Sequence, residues 1–120
     1  KGIKAGILEK MIGTFEKKIE SETSNLRVVI GPCIRRCCYE VGSEFLGYFP
    51  GFYFKKDGAK GFLDLVAVIK ARLLKKGIAS DQILDSGICT VCAKDKFFSY
   101  RAENQTKERI LNVISLRGIR

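Results

Sequence analysis

The chain has 120 residues, of which 46% are hydrophobic, and this is enough for one compact domain with its own core. Its net charge is +9, but the basic residues are spread along the chain, so we expect a solvated lysine-rich surface and no nucleic-acid partner. The longest apolar stretches are too short for a membrane span or a signal peptide.

The first half of the chain predicts a helix, a strand, a second, shorter helix and a second strand, in that order. Apolar residues recur at three- and four-residue spacing over residues 3–19, as on one face of a helix. Residues 26–30 are a β-branched run that predicts a buried strand ending at Gly31-Pro32. A short helix is predicted over residues 39–46, and a strand over residues 52–55 precedes the turn signal Asp57-Gly58.

The second half predicts one well-delimited helix followed by short strands. Asp64 can cap this helix at its start, and Gly77 can end it. Residues 83–88 predict a strand, residues 97–100 form a short aromatic segment, and residues 110–116 predict a closing strand. Because helices and strands interleave, the pattern predicts an α/β or α+β layered sandwich and not a helical bundle.

A polar loop follows the first predicted strand. Gly31 and Pro32 shape a tight turn, Arg35 and Arg36 can hold a phosphate or a carboxylate, and Glu40 can act as an acid, a base or an ion-pair partner. Ligands often bind where strands end. The alternative is a loop whose arginines only meet solvent.

The cysteines fall into two groups. Cys33, Cys37 and Cys38 lie in the loop, whereas Cys89 and Cys92 form a C-x-x-C pair some fifty residues later. An odd number without a secreted disulfide pattern predicts a reducing, cytoplasmic location, with most thiols serving as small buried apolar groups. A zinc site of the C-x-x-C pair with Cys33 and either Cys37 or Cys38 is the alternative.

An aromatic segment near residue 100 combines rings with polar groups. Phe97 and Phe98 are followed by the hydroxyl of Ser99, the phenol of Tyr100 and the guanidinium of Arg101. Such a set suits a purine nucleoside, whose base can stack on a ring while its edge and sugar take hydrogen bonds. The alternative is an ordinary strand that places one phenylalanine in the core.

The chain contains no histidine. A Ser-His-Asp or Cys-His arrangement therefore cannot be assembled from these residues, and neither can a histidine-bound metal site. Any imidazole needed for chemistry must come from elsewhere.

Five short motifs occur in order along most of the chain. They are Gly31-Pro32, Cys38-Tyr39-Glu40-Val41-Gly42, Leu63-Asp64-Leu65, Cys89-Thr90 and Phe97-Phe98-Ser99-Tyr100-Arg101. In order and spacing these motifs resemble the landmarks of the YfiH-type, or laccase-domain, family. Older naming describes its members as multicopper polyphenol oxidases, and newer naming as purine nucleoside phosphorylases with adenosine deaminase activity.

The resemblance implies both a fold and an activity. The fold is α+β, a YfiH-like layered α/β sandwich with a mixed sheet, of which residues 1–120 would be the C-terminal part of a single domain. The activity is phosphorolysis of adenosine or inosine beside a zinc site, and phosphate and the nucleoside are the implied partners. Copper oxidation of phenols would need histidine and cysteine ligands that this chain does not supply, so we favour phosphorolysis.

The resemblance also assigns roles to residues of this chain. Glu40 is the expected catalytic residue, and Arg35 and Arg101 are the expected phosphate contacts. The substrate pocket is expected to include Arg35, Cys38, Tyr39, Ser99, Tyr100 and Arg101.

The family's metal ligands are expected outside this chain. The run Lys1-Gly2-Ile3-Lys4-Ala5-Gly6-Ile7-Leu8 is similar to the end of a family motif, H-A-G-W-R-G, that runs into a helix, with Lys1 in place of the arginine. The resemblance thus places the zinc ligands, two histidines and a cysteine, before residue 1 and none within the chain, which alone would bind no metal. The missing N-terminal segment of the same protein is then a partner of this fold.

A non-catalytic interpretation remains open. The five cysteines could instead stabilise a small zinc-binding module that acts by binding alone. Zinc held by these residues and released by thiol modification would favour that module.

Overall fold

Two α-helices and five strands make up the regular structure of the residues that the structure describes. The computed structural model describes residues 1–18, 22–58 and 60–115. In chain order the elements are α1 (Ile7–Lys18), β1 (Val28–Ile30), β2 (Glu40–Val41), β3 (Phe54–Asp57), β4 (Lys60–Leu63), α2 (Leu65–Lys75) and β5 (Ile83–Asp85). The strands form a parallel pair and an antiparallel sheet, so the predicted α+β class with mixed pairing is confirmed.

Helix α1 begins later than the apolar spacing predicts. Gly6 has a φ of +85°, and the turns before it bring the N–H of Ala5 to the carbonyl of Lys1. A left-handed residue cannot belong to a right-handed helix, so the helix starts at Ile7. The predicted end at Ile19 lies outside the described residues.

Helix α2 has the predicted end signals. The Asp64 carboxylate accepts a hydrogen bond from the N–H of Ala67 at 3.0 Å, which satisfies one of the free donors of the first turn. Gly77 has a φ of +92°, and the N–H of Ile78 returns to the carbonyl of Leu73 at 3.1 Å. This left-handed glycine ends the helix as predicted.

Strands β1 and β5 pair in parallel, with Val28 opposite Ile83. Both strands are shorter than predicted. Strand β5 ends at Asp85, whose carboxylate accepts a hydrogen bond from the N–H of Gly87. One face of the pair is open, and Val29 and Leu84 are 57% and 67% exposed there. Parallel strands are normally covered on both faces.

The antiparallel sheet has the order β2-β4-β3 and replaces a predicted helix. The helix predicted over residues 39–46 is wrong, because Glu40 and Val41 pair with Phe62 and Gly61 of β4. Only a short 3-10 turn, Ser43–Gly47, follows them. Strand β4 was not predicted, whereas β3 overlaps the strand predicted over residues 52–55 and turns into β4 at Gly58, as Asp57-Gly58 predicted.

The closing strand predicted over residues 110–116 is wrong for residues 110–115. These residues have no regular structure, and the side chains of Leu111, Val113 and Ile114 are exposed. A strand needs a neighbour for its backbone groups, and none of the described residues pairs with this segment. Leu116 lies outside the described residues.

Helix α2 lies between two apolar clusters that form the core. The first cluster is built on Ile12 of α1, Leu73 of α2 and Ile78, and residues of β1 and β5 pack against it. The second joins Val68 of α2 to the antiparallel sheet through the completely buried Leu63. The described helices are too short to cross a membrane.

Candidate functional site

The parallel strand pair brings two distant loops side by side. Beyond β1 and β5, the N–H of Cys33 donates to the carbonyl of Ile88 at 3.2 Å, and the N–H of Thr90 donates to the carbonyl of Cys33 at 3.1 Å. These bonds form an isolated parallel bridge between Cys33 and Cys89. The loop of residues 31–39 therefore lies against that of residues 86–93.

Arg35 ties the two loops together. Its guanidinium forms a two-pronged ion pair with Asp85, at 2.7 and 2.9 Å, and donates to Ser86 Oγ at 3.2 Å and to the carbonyl of Ile88 at 3.2 Å. Lys70 reaches the same carboxylate at 2.9 Å. Because most of the donors of Arg35 are engaged, its predicted role as a phosphate contact stays a prediction that these contacts disfavour.

The ion pair shifts both titrations. Hydrogen bonds from Arg35, with the N–H of Gly87 and the ammonium of Lys70, hold the pKa of Asp85 well below its usual range. The hydrogen bond with Asp85 in turn raises the pKa of Arg35. Both side chains therefore stay charged over the physiological range.

Four cysteine side chains meet where the loops touch. The sulfur atoms of Cys37, Cys38, Cys89 and Cys92 all lie within 4.8 Å of one another, and they form a group that could hold a metal ion. We call these four residues the thiol cluster. The zinc site considered from the sequence consists of the C-x-x-C pair with Cys33 and either Cys37 or Cys38. The structure instead places both Cys37 and Cys38 beside the C-x-x-C pair, and Cys33 lies outside the cluster.

Without a metal, the thiols of the cluster differ in pKa. Burial raises the pKa of Cys38, and burial together with a hydrogen bond to Cys92 raises the pKa of Cys37 to about 11. Burial would also raise the pKa of Cys89, but backbone N–H groups, foremost that of Cys92, outweigh it and lower the value to about 6. Burial raises the pKa of Cys33.

A second set of predicted residues meets at the start of β2. The guanidinium of Arg101 lies 4.7 Å from the centre of the Tyr39 ring and donates a hydrogen bond to the backbone carbonyl of Glu40. We call Tyr39, Glu40 and Arg101 the arginine cluster. It joins two motifs that are 61 residues apart in sequence.

Ser99 and Tyr100 flank this cluster in a turn. Ser99 is buried, its N–H donates to the Glu103 carboxylate at 2.8 Å, and its hydroxyl accepts from the N–H of Ala102 at 3.2 Å. Tyr100 is exposed, with the guanidinium of Arg109 near its ring. Ser99 thus shapes the turn that presents Arg101, whereas Tyr100 leaves its phenol accessible.

A basic cleft of about 430 Å³ beside the thiol cluster was not predicted. Asp85 pairs with two of its cations, Arg35 and Lys70, while Arg36 and Lys55 have no ion-pair partner in the part of the chain that the structure describes. No sequence signal marked Asp85, because it lies inside the strand predicted over residues 83–88 and only the structure ends that strand at Asp85. The lining residues are Arg35, Arg36, Cys37, Lys55, Asp64, Val66, Ala67, Lys70 and Asp85.

Comparison with known proteins identifies the family. Residues 1–117 match the family model described as multi-copper polyphenol oxidoreductase laccase. The chain therefore belongs to this laccase-domain family, which includes YfiH, as its motifs predicted.

Curated relatives are named for a phosphorolytic activity. A purine nucleoside phosphorylase of Clostridium acetobutylicum is 32% identical over 118 residues, which are 95% of this chain and 49% of that protein. The purine nucleoside phosphorylase YlmD of Bacillus subtilis is 28% identical, and the match covers 98% of this chain and 45% of that protein. The chain thus spans about half the length of the curated relatives it matches.

Solved structures share the fold. YlmD from Geobacillus stearothermophilus superposes with a TM-score of 0.78 at 27% identity, covering 88% of this chain and 42% of that one. A hypothetical YfiH protein of Bacillus licheniformis gives a TM-score of 0.78 at 28% identity, covering 87% and 42%. The α+β architecture described above is that of YfiH-type proteins.

Proposed function

We propose that the whole protein cleaves purine nucleosides by phosphorolysis, yielding a free base and ribose 1-phosphate. The names of the curated relatives support this proposal. The observation that carries it is the arginine cluster, in which a guanidinium and an aromatic ring from two family motifs meet beside the backbone of Glu40. Phosphate is complementary to the guanidinium, and a purine base is complementary to the ring.

The chemistry assigns a task to each residue of the arginine cluster. A phosphate oxygen forms a bond to the ribose C1′ while the bond from C1′ to the purine breaks, and its electron pair leaves with the base, which takes up a proton. Arg101 neutralises the attacking phosphate, and Tyr39 provides a ring beside the base. The Glu40 carboxylate accepts a hydrogen bond from a purine N–H and orients the base for departure.

Arg101 suits the phosphate better than Arg35 does. Arg35 has its charge met by Asp85 in a largely buried pair, whereas Arg101 is exposed and its described contacts are a ring and a neutral carbonyl. A cation without a carboxylate partner keeps its full attraction for an anion. Arg35 remains as a residue that positions the loop bearing Cys38 and Tyr39.

The test is the phosphate dependence of inosine cleavage by the whole protein. We expect Arg101→Ala to raise the KM for phosphate about ten- to hundredfold, because a hydrogen bond to a charged group contributes about 1.5–3 kcal/mol. Arg101→Lys should retain part of the effect. Arg27, whose guanidinium binds the carbonyls of Ser24 and Leu26, is the control, and Arg27→Ala should change nothing.

Two outcomes would refute parts of the proposal. An unchanged KM for phosphate in Arg101→Ala would remove Arg101 from the phosphate site. Absence of phosphate-dependent cleavage of both inosine and adenosine by the wild-type protein would refute phosphorolysis itself, and it would favour a non-catalytic, zinc-stabilised binding module built on the thiol cluster.

Adenosine deamination and a zinc requirement are finer parts of the proposal. Deamination would make the protein a hydrolase as well as a transferase, and inosine formed from adenosine without phosphate would reveal it. A metal held by imidazole, whether zinc or copper, does not fit these residues, since the chain has no histidine.

We also propose that these residues are part of one larger domain in a cytoplasmic protein. The radius of gyration, 16.2 Å, exceeds the roughly 13.6 Å of a compact domain of this length. The open face at Val29 and Leu84 supports coverage by the remainder of the protein, and five free thiols suit a reducing compartment. Cell fractionation, and proteolysis that releases no stable fragment, would test these two points.

A further inference from the structure

We propose that the thiol cluster binds one zinc ion through Cys37, Cys38, Cys89 and Cys92. This tetrathiolate site is separate from any histidine-held metal and does not depend on the proposed phosphorolysis. It would stabilise the contact between the loops that follow β1 and β5.

The sulfur positions are close to those of a tetrahedral zinc site. Zinc–sulfur bonds of about 2.3 Å place the sulfurs of a regular tetrahedron about 3.8 Å apart. Cys92 Sγ lies 3.5 Å from Cys37 Sγ and 3.5 Å from Cys38 Sγ, and no pair in the cluster exceeds 4.8 Å. Displacements of a few tenths of an ångström, up to about one for the widest pair, would bring all four sulfurs onto one ion.

The sulfur contacts are not those of a disulfide. Bonded sulfurs lie about 2.05 Å apart, whereas the shortest contacts here are 3.5 Å and all five cysteines are free. Four unbonded thiols at these distances are a set of soft ligands of the kind that zinc binds.

The backbone holds the ligands in place before any ion arrives. A turn in which the N–H groups of Cys38 and Tyr39 both donate to the carbonyl of Arg35, at 2.9 Å, directs two adjacent cysteines into the cluster. A second turn, closed by the N–H of Ala93 on the carbonyl of Cys89 at 3.0 Å, brings together the two ends of the C-x-x-C unit. Both loops therefore lose little conformational entropy when a zinc ion binds.

Arg35 adds rigidity behind the cluster. Its carbonyl closes the turn that bears Cys37 and Cys38, and its guanidinium binds Asp85 at the end of β5 and the carbonyl of Ile88, which immediately precedes Cys89. Such partners behind the ligands commonly orient metal sites in proteins.

The charge balance also fits. The four cysteines bind zinc as thiolates and release to solvent the protons that their thiols still carry, and the resulting site has a charge of about −2 with no change in oxidation state. Arg36 precedes the first ligand, while Lys94 and Lys96, with Asp95 between them, follow the last one, so the flanking residues carry a net positive charge that opposes this charge. With four protein ligands, the ion has no open position for substrate, which makes the site structural and not catalytic.

The experiment compares zinc content among variants of the whole protein. Wild-type protein, purified without chelators, is analysed by mass spectrometry for metals alongside Cys92→Ser and the matched control Cys33→Ser, whose thiol lies outside the cluster. We expect Cys92→Ser to contain one zinc fewer per chain than either of the other two. The measurement is the difference in zinc content between variants, because other parts of the whole protein can bind a metal as well.

Two further measurements separate metal loss from misfolding. Cys92→His replaces a sulfur by a nitrogen ligand and should restore the zinc that Cys92→Ser loses. After cobalt replacement, the thiolate-to-metal charge-transfer absorption should fall in Cys92→Ser and stay unchanged in Cys33→Ser. A regular tetrathiolate also gives cobalt a strong tetrahedral visible spectrum.

Several results would overturn the proposal. Equal zinc content in wild type and Cys92→Ser would do so, as would equal loss in the Cys33→Ser control. Iron found in place of zinc, or a disulfide between Cys92 and either Cys37 or Cys38 in freshly purified protein, would also contradict it. Because zinc content is counted without any nucleoside, a failure of phosphorolysis would leave this result standing.

Discussion

Replacement of Asp85 by asparagine should destabilise the fold, because it breaks the ion pairs of Asp85 with Arg35 and Lys70. The Asp85 carboxylate accepts two hydrogen bonds from Arg35, one from Lys70 and one from the N–H of Gly87. The Asp85 and Arg35 side chains are only 20% and 14% exposed. Asp85→Asn leaves the arginine in place with its charge unmatched.

The magnitude follows from this burial. Removal of one partner of a fully buried pair costs about 3–5 kcal/mol, but Asp85 retains some contact with water. Lys70 is more exposed, and its part of the interaction contributes no more than about 1 kcal/mol. We therefore expect the free energy of unfolding to fall by about 2–3 kcal/mol.

The same substitution should change the acid sensitivity. Because the folded pKa of Asp85 is depressed, its stabilisation is complete above the unfolded pKa of about 3.9 and is lost as the pH falls through that value toward the lower folded pKa. The difference between wild type and Asp85→Asn should thus shrink from about pH 6 to about pH 3.

Urea denaturation across this pH range measures both effects. Asp81→Asn is the control, since Asp81 is exposed and should shift stability by less than about 0.5 kcal/mol. The stabilising role of this ion pair would be refuted if Asp85→Asn is as stable as Asp81→Asn at neutral pH, or if its loss of unfolding free energy does not diminish in acid.

Two further substitutions test the core and the helix end. Leu63→Ala should lower the free energy of unfolding by about 2–5 kcal/mol, because Leu63 is completely buried, whereas Leu74→Ala on the exposed side of α2 should cost about 1 kcal/mol or less. Urea denaturation that gives equal losses would contradict the described core. Gly77→Ala should destabilise by about 1–2 kcal/mol through its positive φ, while Gly13→Ala inside α1, where nothing crowds an added methyl, should stabilise by about 0.5–1 kcal/mol. A shift of the thermal midpoint in the same direction for both glycine variants would refute this assignment.

Features set by neighbouring residues could be predicted from the sequence. The cap at Asp64, the stop at Gly77 and the turn at Gly58 depend on contacts or backbone angles within a few residues. The apolar spacing of α1 was also sufficient, except that Gly6 delayed the start of the helix. These features depend on interactions between residues that are close in sequence, so the sequence is sufficient to predict them.

Features set by distant partners could not be predicted. Glu40 and Val41 have helix-compatible spacing, yet pairing with Phe62 and Gly61 makes them a strand. The residues around Ile114 have strand-like composition but find no partner in the described chain. At Glu40 and Val41, pairing with a distant strand overrode the local preference for a helix. Around Ile114, the lack of a pairing partner among the described residues left a strand-like sequence without a strand.

In the thiol cluster and the arginine cluster, too, the sequence shows the residue types but not which of them meet. Their residue types were all visible in the sequence, but the parallel bridge between Cys33 and Cys89 decides which thiols meet. It engages the Cys33 backbone beside the cluster and leaves Cys37 and Cys38 to reach Cys92. The family motifs assign Tyr39, Glu40 and Arg101 to one pocket, and the structure brings Arg101 against the Tyr39 ring and the Glu40 backbone, while their role in a pocket stays a prediction.

The central position of α2 has a consequence for how the molecule melts. The two sheets share no strand, but α2 contributes Leu73 and Ile69 to one apolar cluster and Val68 and Leu65 to the other. Detachment of the helix would uncover both clusters at once, so neither sheet can come apart while the other keeps its packing. The parallel pair and the antiparallel sheet therefore form one cooperative unit, whose loss would register as a single transition.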